Sequence, residues 1–207
     1  LPGQLIFLGP ANYVNDTLRI GPNTVTLAQS QAPNLTASTY TLSTAIQIGE
    51  GTGPAVLNSS LSLLSSPTTS IGYLAGSSAT LNINSGVFNV TGSGSDAELL
   101  VGDSASGTLS VNSGATMNLN GADGNAVIGN NAGISGTLNI TGAGALWNNT
   151  SNNVSAPLIV GNSGSGTLNI SSGGSVNNGA SYIGYLQGSI GNAAVSDAGS
   201  IWTNRDI

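Results

Sequence analysis

Three acids set close together, Asp96, Glu98 and Asp103, are the only clustered carboxylates in this chain. Two carboxyls roughly 5–10 Å apart can supply the acid and the base or nucleophile of a glycosidase. Asp96 and Glu98 stand two residues apart, so on one strand they would share a face. A lyase acting on acidic polysaccharide would also need a basic residue, and the chain holds only Arg19 and Arg205, one near each end. Solvated loop carboxylates are the simpler reading, so no catalytic residue is assigned. Calcium, which prefers oxygen ligands, would find carboxylates in Asp96, Asp103 and Asp123. The solenoids that bind it repeat Gly-Gly-x-Gly-x-Asp in every copy. That Asp is absent here, so neither a metal site nor a cofactor is assigned.

Composition removes most other chemistry. The 207 residues include no His, Cys or Lys, and only 5% are charged, against roughly 25% in an ordinary domain. There is thus no Ser-His-Asp triad, thiol nucleophile, Schiff-base lysine or imidazole–thiolate zinc site. Two arginines under a net charge of −6 cannot neutralise a phosphate backbone, which excludes nucleic acid as a partner. No apolar run reaches the length of a membrane-spanning helix. The opening Leu1–Leu8 lacks the basic start of a secretion signal, which suggests a leader already removed or an internal segment. Gly, Ser, Asn and Thr make up 105 residues, yet 39% of the chain is apolar. Much of that is Val, Ile and Leu in short alternating runs, the mark of an ordered all-β protein rather than a disordered one.

The elements that carry these residues repeat. An apolar-Gly pair recurs at Ile48-Gly49, Ile71-Gly72, Val101-Gly102, Ile128-Gly129, Val160-Gly161 and Ile183-Gly184, at steps of 23, 30, 27, 32 and 23. From Gly72 onward each leads into a second strand: Ala79–Ile83, Gly107–Val111, Gly136–Ile140, Gly166–Ile170 and a degenerate Gly191–Val195. A glycine turn and a third strand follow. The gap between first glycine and second strand alternates 7, 5, 7, 5, 7, so the true period is a pair of units. In the second strands Leu and Ile or Val alternate with Thr and Asn or Ser. One such strand cannot bury its apolar side alone, but stacked copies make a continuous core.

The predicted fold is therefore all-β: a parallel β-helix of about six rungs, right-handed because parallel crossovers overwhelmingly are. Leu81, Leu109, Leu138 and Leu168 should form one inward stack, with Ile83, Val111, Ile140 and Ile170 beside it. Asn82, Ser110, Asn139 and Asn169 should face outward as a ladder. Trp147 and Trp202 stand third after Gly144 and Gly199; Met117, Asn89 and Asn177 count to the same place in their own units. Packing in a wide corner is preferred to an exposed aromatic row for sugar stacking. Tyr73 and Tyr185 follow equivalent glycines and read as loop-packing residues. The nine Asn-x-Ser/Thr triplets are what this composition yields by chance. Residues 1–44, with four of the seven prolines, read as an irregular cap or a worn first repeat beginning at Leu18-Arg19-Ile20-Gly21. Residues 45–207 are the solenoid, continuous with it.

The stretch Leu158-Ile159-Val160-Gly161-Asn162-Ser163-Gly164-Ser165-Gly166-Thr167-Leu168-Asn169-Ile170 resembles the passenger-associated repeat of autotransporter proteins. Asp197-Ala198-Gly199-Ser200-Ile201-Trp202-Thr203-Asn204 and Thr141–Asn148 resemble the partner half of that repeat pair. The likeness covers residues 69–204 well and 45–68 loosely. It implies a right-handed β-helix exported to the bacterial cell surface as a stalk or adhesin, with surface or matrix glycans as partners and no enzyme activity. Two other functions compete: a filament subunit that stacks end to end through open terminal rungs, and a polysaccharide-degrading β-helix enzyme centred on Asp96, Glu98 and Asp103. No membrane barrel follows the repeats, so the chain is expected to be a passenger segment or a related extracellular repeat protein.

Overall fold

The structure, a computed structural model, describes residues 3–7, 12–29, 39–92, 98–120, 125–149 and 157–205. The described residues contain strands and turns, and the strands build a parallel β-solenoid of about six turns. Each later turn holds three short strands, as in Glu98–Val101, Ser106–Val111 and Thr116–Leu119. The second strand of every turn joins one eight-stranded sheet. The first and third strands share a thirteen-stranded sheet, because the long Thr39–Ile48 strand pairs with Leu63–Ser66 through one half and Thr68–Ile71 through the other. Every strand pairing is parallel.

Register carries the inward stacks. Leu57, Leu81, Leu109, Leu138 and Leu168 lie directly over one another, as do Ile83, Val111, Ile140 and Ile170, and all are buried. Alternation does this: each strand sends every second side chain inward, and β-branched residues pack well on the pleat. Identical side chains at a rung spacing of about 4.8 Å leave little room for voids.

The N-terminal segment extends both sheets. Gly3–Phe7 pairs with Thr24–Gln29, and Asn12–Ile20 pairs with Thr39–Ile48. Ile20 stacks on Ile48 and is buried.

Two corners shape each turn. The first follows the apolar-Gly pair. Gly102, Gly129 and Gly161 have φ of 75°, 75° and 81°, and their N–H groups donate to Ile71, Val101 and Ile128 of the preceding turn at 2.7–2.9 Å. The alternating loop length has a simple cause. The long loops each insert a turn closed by i→i+3 bonds, Ser77 N–H to Leu74 C=O, Ile134 to Asn131 and Ser189 to Leu186. Gly76, Gly133 and Gly188 hold the positive-φ third position, as a type II turn requires. The short loops omit it.

The second corner uses the same device at Asn112–Ala115, Gly142–Ala145, Ser171–Gly174 and Asp197–Ser200. It corrects one alignment. Asn89 and Asn177 do not share the place of Trp147; register puts Phe88, Met117, Trp147, Val176 and Trp202 in one column. Gly86 runs straight into its strand with no corner residue between, unlike Gly114 with Ala115. In the fourth unit the positive-φ residue is Gly173, not Gly174. Counting from the nearest glycine therefore slipped by one. Phe88, Met117, Trp147 and Val176 are fully buried, and Trp202 packs partly buried against them. Val176 between two tryptophans leaves space for both rings.

Candidate functional site

The exterior is built from ladders. In the eight-stranded sheet Asn82 donates through Nδ2 to Asn58 Oδ1 at 2.8 Å, and Asn169 to Asn139 Oδ1 at 2.9 Å. Asn139 reaches Ser110 Oγ at 3.5 Å. On the other sheet Asn118 donates to Asn89 at 2.9 Å and Asn148 to Asn118 at 3.4 Å. Amides suit this because each carries both donors and an acceptor, so one can take a bond from the next turn and give one to the last. Asn82, Ser110, Asn139 and Asn169 thus face outward as the alternation required. Asn89 and Asn177, misaligned with tryptophan, belong to the outer Asn column instead.

Asp103 belongs to a ladder as well. Its carboxylate accepts from Ser70 Oγ at 3.0 Å and Asn130 Nδ2 at 3.1 Å, and Asn162 Nδ2 continues the row to Asn130 Oδ1 at 3.0 Å. Asn131 Nδ2 donates to the Asp103 backbone carbonyl at 2.9 Å. This carboxylate ties three turns together. Asp96, Asp123 and the Glu98 side chain, its proposed companions in catalysis or calcium binding, lie outside the described residues. Among the described residues no three acids gather in a metal-binding group. Asp197, at φ 68°, caps the second corner by accepting from Ser172 N at 3.1 Å and Oγ at 3.3 Å.

The aromatic candidates divide. Trp147 is core, with its Nε1 buried and unpartnered. Tyr73 is half-buried, whereas Tyr185 is exposed, its ring 4.9 Å from that of Tyr182. In the last described turn Ile183 and Val195 continue the inward columns of Val160 and Ile170 and are 51% and 48% exposed, whereas Ile190 and Ile201 stand over Ser165 and Ser175 in outward columns.

Of the two arginines, Arg19 is paired with Glu50 at 2.7 Å. Arg205 lies on the edge of a cleft of about 290 Å³ lined by Asn148, Asn177, Asn178 and Thr203. Sequence reasoning passed over this cleft.

No family model, curated protein or solved structure matches the chain. What its geometry defines is a class, the parallel β-solenoid repeat proteins.

Proposed function

We propose that this chain is a structural and adhesive segment of a bacterial surface protein, an extracellular solenoid that holds polar ladders away from a cell. The observation that carries this reading is the combination of a continuous apolar core with outward amide and hydroxyl rows that are bonded to one another turn after turn. Such rows stiffen the rod and leave a long face that meets partners through hydrogen bonds. The autotransporter-like repeats agree with export to the cell surface. End-to-end stacking into a filament is the second reading, in which a second copy would cover Ile183 and Val195.

A single assay separates adhesion from degradation. Beads carrying the full chain are incubated with a panel of acidic and neutral polysaccharides, and both retention and new reducing ends are measured. Retention without new ends is the expected result. New ends that vanish in Asp103→Asn would replace adhesion by catalysis.

A further inference from the structure

The chain holds the same tripeptide twice, Asn120-Gly121-Ala122 and Asn178-Gly179-Ala180. Asparagine is a thermally labile side chain, and glycine after it removes the main protection, because no Cβ shields the glycine nitrogen. That nitrogen can reach the preceding Cγ and close an imide ring. The fold treats the two copies in opposite ways. Asn178 is 1% exposed, and Gly179 is buried beside it. The Asn178 Nδ2 donates to Ser181 Oγ at 2.9 Å and to the Ala180 carbonyl, which holds the leaving amide in place. Arg205 N–H bonds the Asn178 and Gly179 carbonyls at 3.0 and 3.1 Å, fixing the backbone on both sides of the reacting pair. Water reaches such a group only when the strand opens.

Asn120 has none of this protection. It is exposed and directly follows the strand Thr116–Leu119. Its backbone N–H is tied to the Val90 carbonyl at 2.9 Å, but its side chain has no hydrogen-bond partner among the described residues. We infer that Asn120 is a site of spontaneous deamidation, and that Asn178 is held unreactive by the fold. The Gly121 nitrogen attacks the Asn120 Cγ, the Cγ–Nδ2 bond breaks, and the amide leaves as ammonia carrying the glycine proton. Water then opens the imide at either carbonyl and gives aspartate or isoaspartate. Either product places a new carboxylate two residues beyond Asn118 of the outer Asn row, on a chain of which only 5% is charged. Isoaspartate also adds one methylene to the main chain between the strands Thr116–Leu119 and Asn125–Ile128.

The test is slow ageing of the full chain, warm and at mildly alkaline pH, with circular dichroism to show that it stays folded. Samples are digested at intervals and their peptides weighed. The peptide holding Asn120 should gain the mass of an amide-to-acid exchange and split into aspartate and isoaspartate forms. It should do so at least about tenfold faster than the peptide holding Asn178, whose reaction waits on opening of the strand. The same ageing in concentrated urea should bring the two rates together, because both tripeptides are then free. Asn120→Gln keeps an exposed amide but needs a larger ring to react, and should silence the fast site while leaving Asn178 unchanged. Equal rates at the two asparagines in the folded chain would overturn the inference. So would faster reaction at Asn178, or an Asn120 that stays intact while the unfolded chain reacts.

Discussion

Gly129 and Gly114 have nearly the same backbone, φ of 75° and 72°, and sit at the first and second corners of neighbouring turns. Their surroundings differ sharply. A Cβ built on Gly129 would lie 2.3 Å from the Ser165 carbonyl oxygen and 2.5 Å from its carbon, both backbone atoms of the next turn. A Cβ on Gly114 would meet nothing within 4 Å. At the second corner Gly114, Gly144, Gly173 and Gly199 serve conformation alone, whereas a Cβ on Gly86 would strike the Leu61 carbonyl. At the first, glycine also lets one turn lie against another, and Gly136 and Gly166 on the facing strands have the same need: a Cβ there would fall 2.1 Å from Gly161 N or Val101 O. One corner is therefore packed backbone to backbone, whereas from Gly114 onward the other is an open turn.

That contrast can be broken by substitution. Gly129→Ala should be among the most damaging single-methyl changes at the described glycines. It adds the left-handed strain of about 1–2 kcal/mol to a collision that only separation of two turns can relieve. In a urea titration its loss should exceed that of Leu138→Ala, for which a buried Leu truncation predicts about 2–5 kcal/mol. Leu138 is fully buried beneath Leu109 and Leu168, so a loss under 1 kcal/mol would show that the core is not closed there. Gly114→Ala shares the strain but not the collision, and should cost about 1–2 kcal/mol. The difference between the two glycine variants thus isolates the close contact. Smallest of the four, Asn139→Ala removes ladder bonds at an outward position and should cost about 0.5–1.5 kcal/mol. Comparable midpoints for Asn139→Ala and Leu138→Ala would mean that the two faces of the strand had been exchanged.

Much of this was legible in advance. Alternating Leu and Ile in the second strands specified both the inward stacks and the outward Asn ladder, because a period of two admits only two facings. The apolar-Gly pairs located the tight corner, and the alternating gap located the inserted turns. The second corner was less readable. Several glycines crowd there, and only the one with positive φ sets the register, so Phe88 and Val176 were displaced in favour of Asn89 and Asn177. The sharing of one sheet by first and third strands was also hidden, since it depends on the long strand Thr39–Ile48 bridging two rows that are separate elsewhere. For the cleft, no local pattern could have announced it. Arg205 and Asn148 are joined only through turn-to-turn stacking. Asp103 shows the converse. Its clustering in sequence suggested chemistry, while its neighbours in space, Ser70 and Asn130, come from other turns and hold it as a strut.

Adhesion is best tested on a surface. The full chain is displayed on a bacterial cell that does not otherwise stick, and cells are passed over immobilised acidic polysaccharide under increasing flow. Retention well above that of cells bearing the empty carrier, reduced by Gly129→Ala through loss of the fold, is the predicted result. Retention no greater than that of the empty carrier, with the chain folded and exposed, would contradict the adhesive role outright.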